Sequence, residues 1–475
     1  MACSTDAAAR LPSGRRVGPR DIVRSGLCIG CGSCVAQAAR PDVRMDLDRY
    51  GQFKPHGPAE WMRERTPAFS RTCPFSPRSR NEYELAAGRF PAANDGDRLT
   101  GRFEAAYVGH AREQDFRASG SSGGMVSWVA AELMRTGLVD SVVHVVASAG
   151  PDADRRFFRY QISRSEEEVK RGAKSRYYPV ELSGVIEAIR ATPGRYAVVG
   201  IPCFIKALHL LRAEDAVLRE RVIFTLGLFC GHMKSAHMVE SFAWQMGADI
   251  DEVESVEYRL KDPNRPANWY TAQLTLKNGG TKSKDWWHLV DGDWGAGFFQ
   301  NSACDFCDDV VAETADISFG DAWVEPYSSD GRGTNVVIVR SPVLHMLVRA
   351  AIADRRLDLQ PVDQEFIEAT QAAGFRQRRE GLAFRLSWPR LGLHPNKRVT
   401  PRWDGLSLRR RSIYWMRSRI SIWSHRMFWL AKRMHRPGIY LFWARAALTV
   451  YHGLAYSRGR LGRFLDRIGS ADGDG

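Results

Sequence analysis

The sequence predicts an α/β protein in three parts: a small cysteine-bearing N-terminal module, a body built on a mixed or parallel sheet, and a basic helical C-terminal tail. Three observations carry this. Eight of the nine cysteines fall into two groups of four, Cys28, Cys31, Cys34 and Cys73, then Cys203, Cys230, Cys304 and Cys307. Strand-like apolar runs alternate with helical patterns between residues 105 and 340. The net charge of +14 is concentrated near the C-terminus, where residues 402–467 hold 15 Lys and Arg against only Asp404 and Asp466.

Taken in order, residues 1–24 are Arg-rich, lack periodicity and are expected to be disordered. Residues 25–90 form the cysteine module, and a polar linker, Gly88–Gly101, leads into a body spanning 100–398. Strands are expected at Ala105–Gly109, Val139–Val146, Tyr196–Ile201, Arg221–Phe229, Tyr270–Leu276, Ala315–Phe319 and Asn335–Val339. Helices are expected at Gly123–Thr136, stopped by Gly137, at Phe204–Arg212 and at Ala236–Met246. The tail spans 399–475. In it Ile413, Met416, Ile420, Trp423, Met427, Leu430 and Met434 recur at gaps of three and four, as one apolar stripe on a helix. Pro437-Gly438 breaks that helix. The apolar stretch Ile439–Tyr456 that follows is interrupted by Arg445 and His452 and is short for a bilayer span.

A chain of 475 residues can bury a sizeable core across several domains. The N-terminus has no apolar run of the kind that directs secretion. An odd cysteine count in CxxC spacings argues against a secreted disulfide framework, so a reducing cytoplasm is expected.

The first cysteine set reads Cys28-Ile-Gly-Cys31-Gly-Ser-Cys34, closed by Cys73-Pro74. Three thiolates at two-residue gaps wrap one corner of a [4Fe–4S] cluster, and the remote cysteine completes it. Gly30, Gly32 and Ser33 let the backbone wrap closely. In the second set, Cys203 and Cys230 each follow a strand of a βαβ unit, which places them side by side at the carboxyl edge of a parallel sheet. Cys304-Asp-Phe-Cys307 could complete a second four-thiolate cage. Structural zinc is the competing reading of both sets, and burial as small core residues competes for Cys203 and Cys230.

Gly120-Ser-Ser122-Gly-Gly124 matches a nucleophile elbow formally, but the preceding Glu113–Arg117 is charged and is no strand. Small residues opening a helix suit an anion such as a flavin pyrophosphate, which makes Ser121, Ser122, Gly123 and Gly124 candidates. A plain N-cap reads the same residues equally well. Lys174 and Arg176, in Gly172–Tyr178, add cations, and Asp321 could hold a ribityl group or simply serve a turn. No Walker A loop, complete GxGxxG or HExxH is present, and no catalytic residue stands out.

The order of these pieces resembles the coenzyme F420-reducing hydrogenase/dehydrogenase beta-subunit family. The matching stretches are Cys28–Cys34, Arg117–Gly124, Lys174–Tyr178, Gly200-Ile-Pro-Cys203, Cys230-Gly-His232, Cys304–Cys307 and Ile317–Trp323. The resemblance implies a ferredoxin-like iron–sulfur module, a flavin-binding body, two [4Fe–4S] clusters, FAD, and electron exchange with a deazaflavin such as coenzyme F420 or another organic partner. Two departures stand out: Ala38-Ala39 occupy the place where many relatives carry a second Cys-Pro, and Phe204 stands where glutamine is frequent. The tail has no counterpart in the family pattern.

The expected function is an iron–sulfur flavoprotein oxidoreductase fed by a ferredoxin-like donor or a redox partner subunit. The alternatives are the same redox core acting on a cell-surface polysaccharide precursor or a tetrapyrrole, and a non-catalytic zinc-stabilised binding protein. For residues 402–467 an anionic membrane surface at the inner face is expected, against a helix that packs on the body and merely presents a solvated cationic face. Nucleic acid fits less well, because the rings follow the apolar stripe. Cys3 has no evident role.

Overall fold

The computed structural model describes residues 14–94, 99–148, 156–388, 393–459 and 462–463. Of residues 1–24, expected to be disordered, 1–13 lie outside the described residues; over 14–24 the expectation is corrected, since α1 (Pro19–Arg24) is a helix and Val17 is fully buried. Pro19 at its first turn and Asp21 receiving the Gly18 N–H start it. Cys3 lies outside the described residues. The cysteine module continues with α2 (Ser33–Ala38), the antiparallel pair β1 (Arg44–Leu47) and β2 (Phe53–His56), and α3 (Pro67–Thr72). Thr66 caps α3 by accepting the Phe69 N–H.

The body begins with β3 (Ala105–Ala111), α4 (Met125–Arg135), β4 (Ser141–Ala147), β5 (Phe158–Ser163), β6 (Tyr196–Gly200), α5 (Pro202–Glu214) and β7 (Val222–Leu228). A three-stranded antiparallel sheet follows, made of β8 (Val253–Leu260), β9 (Thr271–Leu276) and β10 (Thr281–Asp285). Strands β11 (Ile317–Asp321), β12 (Asn335–Val339) and β13 (Leu357–Pro361), then α6 (Gln364–Arg378), complete it. The main sheet runs β13-β3-β12-β11-β7-β6-β4-β5. Neighbours among β4, β6, β7 and β11 pair in parallel, and the outer pairs are antiparallel, so the sheet is mixed. Its central strands are near-continuous apolar runs; all five residues of β6 and of β12 are buried, as strands covered on both faces require. One face packs on Trp128, Val129 and Leu133 of α4. The other packs on α5 and the N-terminal module in a core that includes Cys31, Cys73, Cys203, Cys304 and Cys307.

The tail forms two long helices, α7 (Leu408–Arg433) and α8 (Pro437–Tyr456), broken at Pro437 as the sequence predicts. They pack on the body. Phe428, Tyr440, Ala444 and Tyr451 join Phe242, Trp286 and Phe299 in one buried cluster. Ser424 accepts the Phe299 N–H at 2.9 Å, and Tyr440 donates to Asp291 at 2.9 Å. The expected apolar stripe is therefore divided. Ile420 is buried, and Ile413, Met416 and Met427 pack against the body cluster, whereas Trp423, Leu430 and Met434 are exposed. No described helix is long and apolar enough to cross a membrane.

Candidate functional site

The parallel pairing of β6 and β7 aligns Gly200 with Gly227. Cys203, in the first turn of α5, and Cys230, two residues beyond β7, therefore share one edge of the sheet. Cys304 and Cys307 arrive on a short helical turn, Ser302–Phe306, ahead of β11. All four line one small cavity, together with Ile29 and Phe75 from the N-terminal module, Ile201, Pro202, Met233 and Arg378. The Met233 N–H donates to the Cys304 Sγ at 3.3 Å. Burial pushes the Cys230 thiol up to about 12 and raises those of Cys203, Cys304 and Cys307. Neighbouring sulfurs add to the rise at Cys203 and Cys304, and any cation gathered by these thiols must displace their protons.

Arg378, at the end of α6, is 3% exposed and lies beneath this set. Its guanidinium donates to the carbonyls of Gly231 at 2.5 Å, Cys230 at 2.9 Å, and Cys304 and Cys307 at 3.4 Å each. Burial alone would favour its neutral form, but the surrounding sulfurs hold it charged. Nothing in the sequence signals this residue.

In the first set, Gly30 and Gly32 adopt left-handed φ of 83° and 82°. A Cβ on Gly30 would stand 2.6 Å from the Phe53 carbonyl oxygen, and one on Gly32 2.5 Å from Glu181. Glycine is thus required for the wrap. The Cys31 and Ser33 side chains share a 3.3 Å hydrogen bond, and the Lys54 ammonium donates to the Cys28 carbonyl at 2.7 Å. Burial raises the Cys34 thiol, with Cys31, Cys28 and Cys73 contributing, so the four sulfurs occupy one neighbourhood. Cys31 in turn acts on Cys203, and the Tyr160 hydroxyl feels both. The two sets adjoin. Among the described residues, no three His, Cys, Asp or Glu side chains converge as ligands of a single metal ion.

The Gly-rich loop before α4 is packed tightly. Gly124 has φ 79°, and a Cβ there would lie 2.3 Å from the Phe116 carbonyl oxygen; one on Gly123 would lie 2.8 Å from that of Gly109. Ser122 donates to the Thr334 carbonyl, the Met125 N–H goes to Asn335, and Ser121 accepts the Ser175 N–H at 2.8 Å. Lys174 pairs with Glu257 at 2.7 Å. Arg176 lies over Phe158, and its Nε is buried without a hydrogen-bond partner. Asp321 pairs with Arg259 at 2.9 Å. The hub of this group is Lys261, just past β8, which the sequence reading missed. It donates to the carbonyls of Arg117, Ser122 and Arg332. Burial, then the cations Lys174, Arg117 and Arg259, depress it to about 7. Ser122, Lys174 and Asp321 thus lie near Lys261, with Ser121 tied to Ser175, whereas Arg176 sits on Phe158, and the loop's own polar groups are largely satisfied internally.

Known proteins resemble this chain. The family model for the N-terminal part of the coenzyme F420 hydrogenase/dehydrogenase beta chain matches residues 106–187, and the model for its C-terminal part matches 194–365, together just over half of the chain. The F(420)H(2) dehydrogenase of Methanosarcina mazei contains a component, its F subunit, that is 22% identical over 339 residues, covering 68% of this chain and 82% of that one. A chain of the F420-reducing [NiFe] hydrogenase complex of Methanosarcina barkeri, in a xenon-derivatised structure, is 16% identical with a TM-score of 0.48, covering 64% of this chain and 98% of that chain. Cys28, Cys31, Cys34, Cys73, Arg378 and the tail helices all lie outside the matched family segments. On the matched segments, the chain belongs to the coenzyme F420 hydrogenase/dehydrogenase beta-subunit family and is an oxidoreductase.

Proposed function

We propose that the protein is an iron–sulfur flavoprotein that exchanges electrons between a redox partner subunit or ferredoxin-like donor and an organic hydride acceptor such as coenzyme F420. The observation that carries this reading is the cavity walled by Cys203, Cys230, Cys304 and Cys307. Four thiols from three distant stretches surround a space, with an arginine behind them. Four thiols drawn around one space suit a multi-atom cluster, and the glycine-dependent wrap of Cys28–Cys34 suits another.

Ile29 and Phe75 carry the first module into the wall of the second cavity, which keeps the electron path short. For FAD, Ser121–Gly124, Lys174, Arg176 and Lys261 offer the positive surface that a pyrophosphate needs; Asp321 and its partner Arg259 stand beside it. When bound, the clusters supply single-electron steps and the flavin couples them to hydride chemistry. The domain boundaries read from the sequence support the same division of labour: 25–90 for the first cluster, 100–398 for the second cluster and the flavin.

Iron, acid-labile sulfide and flavin are to be measured per chain after anaerobic purification. About eight iron atoms with one FAD are expected. Cys203→Ser should remove about half the iron and leave the flavin. Zinc in place of iron, without flavin, would overturn the proposal.

A further inference from the structure

Most large apolar side chains exposed to solvent on this protein sit on the tail. Nine of the fifteen found among the described residues lie between Trp403 and Tyr456. A concentration of this kind on a folded surface marks an interaction site. On α7 it has a definite order. Trp415, Arg419, Trp423, Arg426, Leu430 and Arg433 are all exposed, and at 100° per residue they fall within one stripe about 80° wide. Apolar residue and arginine alternate along it. The Arg419 guanidinium lies 5.1 Å from the Trp415 ring centroid, and that of Arg426 5.3 Å from Trp423. The buried side of the same helix is marked by Ser418, Ser421, Ser424 and Phe428, so the row faces away from the body.

The row has no acid of its own. No Asp or Glu occurs between Asp404 and Asp466. Among the described residues, Arg419, Arg426 and Arg433 form no ion pair with a carboxylate. From Trp415 to Arg433 the stripe is about 27 Å long and one side chain wide, a line of contact and not a pocket. On α8, Phe442 at 77% exposure and Val450 at 40% add further apolar side chains. Indoles with cationic partners seat at the headgroup level of a bilayer, and exposed Leu, Phe and Val have use for an acyl boundary but none for stacked bases.

We propose that the outward row of α7 docks the protein on an anionic lipid surface, lying in the interface without spanning it. The arginines meet lipid phosphates, and Trp415, Trp423 and Leu430 enter the acyl boundary. The row differs from the apolar stripe read from the sequence, half of which serves instead to seat the helix on the body. The inference is independent of the redox reading, and its test needs no cofactor.

The test is flotation of the full chain with phosphatidylcholine vesicles, with and without about one-third phosphatidylglycerol. Binding to the anionic vesicles alone is expected, weakening with salt. Arg419→Gln/Arg426→Gln/Arg433→Gln should weaken it roughly 100-fold, at about fivefold per cation near the surface. Trp415→Ser/Trp423→Ser should also weaken it while keeping the salt dependence. Because these side chains are exposed, the melting temperature serves as the folding control and should stay within a few degrees. The proposal is overturned if the wild type does not float with anionic vesicles, or if both variants bind as the wild type does. It is equally overturned if the row binds single-stranded homopolymer or a second copy of the chain and not lipid.

Discussion

Replacing Arg378 with Met preserves a long side chain and removes every donor beneath the second cysteine set. Two short hydrogen bonds, to Gly231 and Cys230, and two longer ones, to Cys304 and Cys307, are lost together. The site is 3% exposed, so the abandoned carbonyls are not rehydrated. At about 1–3 kcal/mol for each well-made bond whose buried partner is stranded, the two short ones alone amount to about 2–6 kcal/mol. That is a large part of the 5–15 kcal/mol typical of a folded domain. The charge has a separate effect. One buried unit charge about 8 Å from a redox centre, at an effective dielectric of about 20, contributes about 2 kcal/mol, or about 90 mV for one electron. Under the proposed function, Arg378→Met should therefore lower the midpoint potential of one of two clusters by roughly 90 mV, and Arg378→Lys by much less. Anaerobic redox titration followed by electron paramagnetic resonance, with iron content and melting temperature on the same samples, reads both effects. A stable Arg378→Met protein with full iron and unchanged potentials would refute the reasoning.

Other predictions follow from the packing. Gly124→Ala forces a Cβ to 2.3 Å from the Phe116 carbonyl oxygen at a left-handed φ; with backbone strain of about 1–2 kcal/mol and overpacking of about 1–3 kcal/mol, thermal melting should drop by several degrees or the protein should fail to fold. Lys261→Met removes the donor shared by three carbonyls at the loop and should cut FAD occupancy at least several-fold in absorbance spectra, with iron content unchanged. His425, buried between Gln52 at 2.9 Å and the Ser421 carbonyl at 2.7 Å, is lowered to about 3 by burial, then by His237, Lys54 and Lys234. Its native pKa is below its unfolded value, so its contribution is intact above pH 6.5 and is lost as pH falls from there toward 3, by up to about 1.4 kcal/mol per pH unit. Chemical denaturation at several pH values should show that slope shrink in His425→Gln.

The central sheet was legible because its strands are apolar runs bounded by turn residues. Asn335–Val339 coincides with β12, Tyr196–Ile201 overruns β6 by one residue at its end, and Arg221–Phe229 overruns β7 by one residue at each end. The placement of Cys203 and Cys230 at one sheet edge needed only the handedness of the connection between those strands. What stayed hidden lacks a local signal. Strand β10, Thr281–Asp285, has no buried residue and exists through its ladder with β9. Arg378 belongs to a polar helix, and nothing within its own segment says that it ends beneath four cysteines. Lys261 looks like any surface lysine until β8 delivers it to three carbonyls. The α7 stripe was misread for a related reason: periodicity finds an apolar face but not which of two faces meets the body, and here serine, alanine and phenylalanine make the seat while tryptophan and arginine look outward.

The two cysteine sets also constrain each other. Ile29 lies between Cys28 and Cys31, and Phe75 lies two residues beyond Cys73, yet both line the cavity of the second set. The Asn301 side chain reaches back to the Ile29 carbonyl at 3.4 Å, and Ser302 donates to Gly26 at 2.7 Å, so the turn that carries Cys304 is tied to the loop that carries Cys28. Buried Glu82, beyond the first set, pairs with Lys206 on α5 at 3.2 Å and with Lys397 at 3.5 Å, while Lys397 also pairs with Asp308, next to Cys307, at 2.8 Å. A buried ion network of this kind costs desolvation and adds little net stability, but it admits one arrangement of the four segments. Any substitution that loosens the first module should therefore open the second cavity as well. The two sets are held in one arrangement, and under the proposed function this coupling, more than either motif alone, is what an electron path through the protein requires.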